Sequence, residues 1–134
     1  MSNKIIIVTC AIIEYEGKVL VAQRSETMAH PLQWEFPGGK LHTRELPEKC
    51  IVREIMEELQ LSFSIRYRLH SCEYDYGHKQ IRLLPFVGTC THKEVKLLEH
   101  KRIKWLEREE LRHLDWCKAD IPVLEQYLST RSSK

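Results

Sequence analysis

The chain has 134 residues, long enough to enclose one hydrophobic core without a metal or disulfide staple. With 43% hydrophobic and 30% charged residues, and no apolar run near the ~20 residues that cross a bilayer, it reads as a soluble protein without a membrane anchor. The 21 basic and 19 acidic residues leave a net charge of +2 spread along the chain, which excludes the broad basic footprint of a polymeric nucleic-acid binder, so phosphate recognition must be local.

The N-terminus, Met1-Ser2-Asn3-Lys4 followed by Ile5, Ile6, Ile7 and Val8, is too short an apolar run for a secretory signal and reads as a first strand. Residues 4 to 13 and Val19 to Ala22, separated by a turn glycine within Glu14 to Lys18, predict a hairpin. Residues 25 to 33 are irregular, and Trp34 to Gly39 predict a short strand breaking at Pro37-Gly38-Gly39. Pro47 suits the first position of a helix running to Leu59, with Val52, Ile55, Met56 and Leu59 as its core face.

Partial alternation over Ser62 to Asp75, a turn at Gly77 and an apolar strand over Gln80 to Cys90, interrupted by Pro85, predict a long antiparallel pair. His100 to Leu106 reads as a further strand, Glu107 to His113 and Ala119 to Leu128 as helical, and Ser129 to Lys134 as a fraying tail. There are no repeats or linkers, so one domain over residues 1–134 is expected, an α/β mixed sheet with helices on both faces. The five cysteines (Cys10, Cys50, Cys72, Cys90, Cys117) are scattered without a C-x-x-C pair, which suits reduced thiols in a cytoplasm.

Placed 100° apart, Glu54, Glu57 and Glu58 share one arc of the helix, where like charges repel by roughly 0.2–0.5 kcal/mol per pair. A solvated acidic face accounts for three glutamates taken alone, whereas a bound cation would remove the repulsion, and magnesium takes such oxygen ligands together with substrate phosphates. Upstream, Gly38-Gly39-Lys40 offers close backbone approach and a compact positive charge suited to phosphate. The two features together suggest a phosphate and metal site at a strand end.

Gly39, Glu45, Arg53, Glu54, Ile55, Glu57, Glu58 and Leu61 are spaced as in the Nudix box, G-x5-E-x7-R-E-U-x-E-E-x-G-U, so residues 39–61 resemble that signature. The chain is thereby identified as similar to the Nudix hydrolases, of the MutT and CTP pyrophosphohydrolase branch. The resemblance implies the Nudix α/β/α sandwich, Mg²⁺ as cofactor with Mn²⁺ as a substitute, Glu54, Glu57 and Glu58 as metal ligands with the Gly39 carbonyl, and a supporting Arg53–Glu45 salt bridge. Residues 34–40 and Ala119-Asp120-Ile121-Pro122 resemble segments of the same branch. From it follow Arg24 and Lys40 as substrate contacts, Glu99 as a further metal ligand, and Asp120 as the reader of the base edge.

Two positions depart from the family. Leu46 replaces a capping threonine, and Gln60 replaces the glycine that ends the helix, which predicts a strained left-handed Gln60. The seven histidines lack zinc-hydrolase spacing, and Trp34, Phe36 and Tyr76 suit base stacking as well as core filling.

The reaction implied is hydrolysis of a small-molecule nucleoside triphosphate to monophosphate and pyrophosphate, with Glu54 or Glu99 as general base. An ionised Asp120 accepts from the cytosine amine, favouring CTP or dCTP. A protonated one suits an oxidised purine such as 8-oxo-dGTP, a reading of nucleotide-pool sanitation and DNA repair. Cleavage of ADP-ribose or dinucleotides, and a non-catalytic base reader, are the more distant alternatives.

Overall fold

The computed structural model describes residues 4–130. Strand β1 (Lys4–Tyr15) turns through Glu16 and Gly17, at φ 50° and 80°, into β2 (Lys18–Gln23), the left-handed pair that a two-residue hairpin needs. After a loop come β3 (Trp34–Glu35) and β4 (Gly38–Lys40), then helix α1 (Pro47–Leu59). β5 (Ser64–Arg68), β6 (Cys72–Asp75) and β7 (Lys79–Thr89) follow. The chain then forms β8 (Arg102–Leu106), 3-10 turns at Arg108–His113 and Lys118–Asp120, and helix α2 (Ile121–Ser129).

The strands make one mixed eight-stranded sheet. Its spine is the parallel pairing of β1 with β7, from Lys4 opposite Lys79 to Glu14 opposite Thr89. The hairpin is paired only at its closed end, where Glu14 faces Val19 and Tyr15 faces Lys18. Beyond it the two strands part: β1 takes β4 as its neighbour, with Thr9 opposite Gly39, while β2 takes β3 and β8. This opening sets Gly38, Gly39 and Lys40 between the two halves of the sheet.

Alternation along the strands divides the core. Ala11, Ile13, Leu20, Leu84 and Phe86 face α1, packing on Ile51, Ile55 and Leu59. Cys10, Ile12, Val19, Val21, Leu83 and Val87 face the other side, against Val123, Leu124 and Tyr127 of α2. The α/β/α sandwich read from the sequence is the fold observed. No described helix is long and apolar enough to cross a membrane.

The details differ from the sequence reading in three places. The expected strand over residues 62 to 75 is two short strands, β5 and β6, pairing Phe86–Thr89 and Gln80–Leu83 of β7 respectively. Pro85 explains the gap between them: it offers no N–H to an edge partner, and its carbonyl instead accepts from Leu69 N–H at 3.0 Å. β7 itself runs through the proline unbroken.

The second difference is the face of α1. Cys50, Ile51, Ile55 and Leu59 are buried, whereas Val52 and Met56 are 38% and 45% exposed. At about 100° per residue the buried arc from Cys50 to Leu59 contains Glu54 and Glu58, so these carboxylates are pressed beside the core rather than placed opposite it. Third, the helical stretch at Glu107–His113 is 3-10, held at its start by reciprocal bonds between Glu107 and Glu110, and Ala119-Asp120 belong to a 3-10 turn preceding α2. The expected fraying of Ser129 to Lys134 falls in part on residues 131–134, outside the described residues; Ser129 ends α2, with Thr130 N–H bonded to the Tyr127 carbonyl.

Gln60 does close α1 in the left-handed region, at φ 55° and ψ 39°, with its N–H on the Met56 carbonyl at 3.0 Å. Leu46 offers no side-chain cap at the other end. Gln60→Gly should stabilise the protein by about 1 kcal/mol, the cost of a side chain in that conformation, raising the melting temperature by about 3 °C without altering turnover. An unchanged or lower melting temperature in scanning calorimetry would contradict this.

Candidate active site

Two glycines bring strand and helix together. A Cβ on Gly38 would stand 1.9 Å from the Thr9 carbonyl oxygen, and one on Gly39 would stand 2.2–2.5 Å from the carboxyl group of Glu54. No other residue lets β4 lie against β1 while α1 sets Glu54 over its backbone. Thr9, fully buried, donates its hydroxyl to the Gly39 carbonyl at 3.2 Å and contacts the Cys50 thiol at 3.3 Å.

Arg53 organises the exposed side of the helix. Its fork binds Glu45 twice, Nε to Oε2 at 2.7 Å and Nη2 to Oε1 at 2.9 Å. Nη1 reaches Glu54 at 3.0 Å and Glu57 at 3.1 Å. The bond from Arg53, with a lesser one from the His42 N–H, holds the Glu45 carboxyl down at about 2, and Glu45 raises Arg53 in turn. The salt bridge expected between residues 45 and 53 is thus present and extends to two more carboxylates.

Glu58 is different. Its buried Oε1 has no hydrogen-bond partner, and burial, assisted by Glu54, Glu99 and Glu35 and opposed by His100, pushes its carboxyl up to about 7. Gly39, Lys40, Glu54, Glu57, Glu58 and Glu99 together line a cleft of about 520 Å³. An orphaned carboxylate oxygen, adjoining carboxylates and a strand edge cleared of Cβ atoms form an all-oxygen donor set that fits a hard divalent cation.

The tightest grouping of ligand-type atoms among the described residues lies elsewhere: Glu35, Cys117 and Asp120, within 4.8 Å of one another. Glu35 and one oxygen of Asp120 are already engaged. Glu35 accepts from Arg24 at 2.8 Å through one oxygen and pairs with His100 Nε2 at 2.7 Å through the other. Asp120 accepts the Phe36 N–H at 2.9 Å, and burial drives the Cys117 thiol far above its usual range. The trio reads as a buried polar network rather than a cation cage.

Asp120 is buried, and desolvation, then the charge of Glu35, raise its carboxyl well above the ordinary aspartate range against the pull of the Phe36 N–H and Arg24. A pocket of about 200 Å³, lined by Arg24, Phe36, Gly39, Lys40, Glu58 and Asp120 among others, adjoins the carboxylate cleft, with which it shares Gly39, Lys40 and Glu58. Every residue that the sequence nominated therefore lines one of these two adjoining pockets or, for Glu45 and Arg53, buttresses their carboxylates. Of the aromatics, Trp34 and Phe36 belong to the core, Phe36 packing on Trp116 at 4.8 Å, while Tyr76 lines the neighbouring pocket against His30 at 4.9 Å. Thr9, Glu35 and His100 were missed. Glu35 and His100 each adjoin a nominated segment, but their mutual contact crosses 65 residues and leaves no local signal.

A mixed sheet between two helices, with a carboxylate cleft where strand, loop and helix meet, offers oxygen ligands for a cation beside a lysine suited to phosphate. Residues 4–127 match the NUDIX domain, and the chain belongs to the Nudix family of nucleotide diphosphatases. It is 32% identical over 131 residues to a CTP pyrophosphohydrolase of Escherichia coli, covering 98% of this chain and 97% of that protein. It is 42% identical over 130 residues to an 8-oxo-dGTP diphosphatase of Haemophilus influenzae, covering 96% of each. Among solved structures, the E. coli ORF135 protein superposes with a TM-score of 0.83 at 32% identity, covering 95% of this chain and 91% of that one. A Staphylococcus aureus MutT protein superposes with a TM-score of 0.77 at 38% identity, covering 96% and 98%.

The buried Asp120 has a measurable signature. An acid whose folded pKa lies above its unfolded value near 3.8 costs nothing below that value and destabilises the fold progressively as pH rises beyond it. Asp120→Asn retains an acceptor for Phe36 N–H without the charge. The melting temperature of the variant relative to the parent should therefore climb between pH 4 and pH 8, and a constant difference would place the carboxyl in its ordinary range.

Proposed function

We propose that the protein is an Mg²⁺-dependent nucleoside triphosphate pyrophosphohydrolase acting on CTP, dCTP or modified cytidine nucleotides in the cytoplasm. The observation that carries the reading is the adjacency of the two pockets, which share Gly39, Lys40 and Glu58: one is lined by carboxylates and a lysine, the other reaches a buried aspartate. That polarity suits a nucleotide lying with its phosphates toward α1 and its base toward Asp120. The five free cysteines accord with a reducing compartment.

Glu54, Glu57, Glu58 and Glu99, with the Gly39 carbonyl, would hold Mg²⁺, or Mn²⁺ in its place, which supplies charge neutralisation for the phosphates. Lys40 adds positive charge at the same end, and Arg24 contacts the nucleotide from the loop after β2. Glu54 takes the proton of the attacking water. Its Oε2 is held by Arg53, leaving Oε1 for that role, and Glu99 is the alternative base. The water oxygen bonds to the β-phosphorus, the bridging oxygen between the α- and β-phosphates leaves with the nucleoside monophosphate, and pyrophosphate is released.

At the base end, Asp120 Oδ2 is occupied by Phe36 N–H, so Oδ1 is the atom offered to a base. Ionised, it accepts from the cytosine amine. The strong upward displacement of its carboxyl favours a second reading, in which neutral Asp120 donates to an acceptor on an oxidised purine such as 8-oxo-dGTP. The two relatives named for those substrates accord with the pair of readings.

Turnover of CTP, dCTP, UTP, dGTP, 8-oxo-dGTP, ADP-ribose and dinucleotides in Mg²⁺, with products identified, tests the assignment: pyrophosphate and CMP or dCMP at the highest kcat/KM support the first reading. Glu57→Gln and Glu58→Gln should each lower kcat by orders of magnitude in a folded protein, and near-normal turnover in both would remove the metal role. Asp120→Ala should cost about 1–3 kcal/mol in kcat/KM for the preferred base and little for the others. An equal fall across the panel would make Asp120 structural.

A further inference from the structure

The segment that carries Glu99 is held in an unusual way. Between β7 and β8 the chain has no helix or strand from residue 90 to residue 101. Lys96 N–H is bonded to the Leu59 carbonyl at the end of α1 (3.1 Å), and Lys101 N–H to the Gln23 carbonyl at the end of β2 (2.9 Å). Among the described residues, no backbone hydrogen bond holds Leu97, Leu98, Glu99 or His100 between those anchors. Apolar packing does not replace them, since Leu97 and Leu98 are 38% and 60% exposed.

What fixes the span is one side chain. The His100 imidazole is 3% exposed, and its Nε2 lies 2.7 Å from Glu35 Oε2. Glu35 is rigid in its turn: its backbone pairs with Ala22 in the β2–β3 ladder, and its other oxygen receives Arg24. Glu99 therefore stands one residue from the only side-chain hydrogen bond that the Leu97–His100 span makes among the described residues, on the rim of the cleft formed by Glu54, Glu57 and Glu58. A ligand on a span held by backbone bonds only at its ends reaches its metal only as well as the contact beside it is held, and such outer contacts typically govern 10- to 100-fold in affinity or activity.

We infer that His100 is a positioning residue, which by bonding Glu35 holds the Leu97–Glu99 span so that Glu99 enters the metal cleft. The inference rests on the proposed role of Glu99 as a metal ligand. It ties the carboxylate end of the cavity to Glu35, and through Glu35 to Arg24, so that one buried contact registers the two ends against each other.

The test compares Glu99→Gln, His100→Leu, His100→Gln and the double variant His100→Leu/Glu99→Gln, by Mn²⁺ titration of the free protein in EPR and by kcat and KM for the nucleotide that the substrate panel ranks first. His100→Leu should weaken Mn²⁺ binding and lower kcat roughly 10- to 100-fold with KM nearly unchanged. The double variant should be no worse than Glu99→Gln, because the tether acts through that carboxylate. His100→Gln, whose amide N–H can still reach Glu35, should recover most of both losses. His100→Asn, too short for that contact, serves if the leucine variant does not fold.

A His100→Leu protein that melts earlier yet keeps its Mn²⁺ affinity and kcat overturns the inference, as do losses that multiply in the double variant. A rise in KM alone would assign His100 to Arg24 and overturn it too. Should Glu99→Gln itself leave Mn²⁺ affinity and kcat unaltered, the role of Glu99 fails together with the inference; an impaired Glu99→Gln beside a normal His100→Leu removes the inference alone.

Discussion

The close approach of α1 to β4 is the constraint from which the rest of the site follows. Glu54 occupies the space that a side chain at position 39 would need, and the Thr9 carbonyl occupies the space of one at position 38. Because both spaces are free, the helix can lie low on the sheet edge, its carboxylates enter the arc that packs on the core, and the Gly39 carbonyl meets the Thr9 hydroxyl. A helix held farther out would present the same glutamates to bulk water, where each would be solvated separately and none would lack a partner.

The carboxylates of the cleft divide by environment. Those on the Arg53 side are neutralised by a guanidinium whose planar fork fixes their geometry, an arrangement that costs little to build at a surface. Glu58 is left on the inner side with an oxygen that nothing among the described residues satisfies, beside His100 and Glu99. One part of the site is thus already paired within the chain, and the other part presents an unpaired oxygen of the kind that a hard cation accepts. That division separates scaffold from reactivity within a single turn of helix.

Much of this was legible in the residues. The fixed spacing from Gly39 to Leu61, the proline that opens α1 and the Ile- and Val-rich runs of β1 and β2 around a turn glycine each report a local rule, and each appears in the fold. What was illegible is whatever depends on partners distant in sequence. Val52 and Met56 match a helical period as well as Cys50 and Ile51 do, and only the direction from which the sheet approaches decides between them. The parallel match of β1 to β7, like the contact between Glu35 and His100, is set by topology rather than by any pattern within either segment.

That parallel spine also bears on how the chain is made. Strand β1 emerges from the ribosome well before its long partner, which begins only at Lys79, and its hairpin with β2 is paired at just two positions. At translation rates of about 5–20 residues per second, the apolar run from Ile5 to Ile13 waits roughly 4 to 15 seconds before β7 starts to appear. During synthesis the side of β1 that β7 will cover is therefore an open edge, and β7 reaches it only after α1 has been made. Slow translation between β2 and β7 would lengthen that exposure and should favour capture of the nascent chain by chaperones or its aggregation, with no change in the stability of the finished protein.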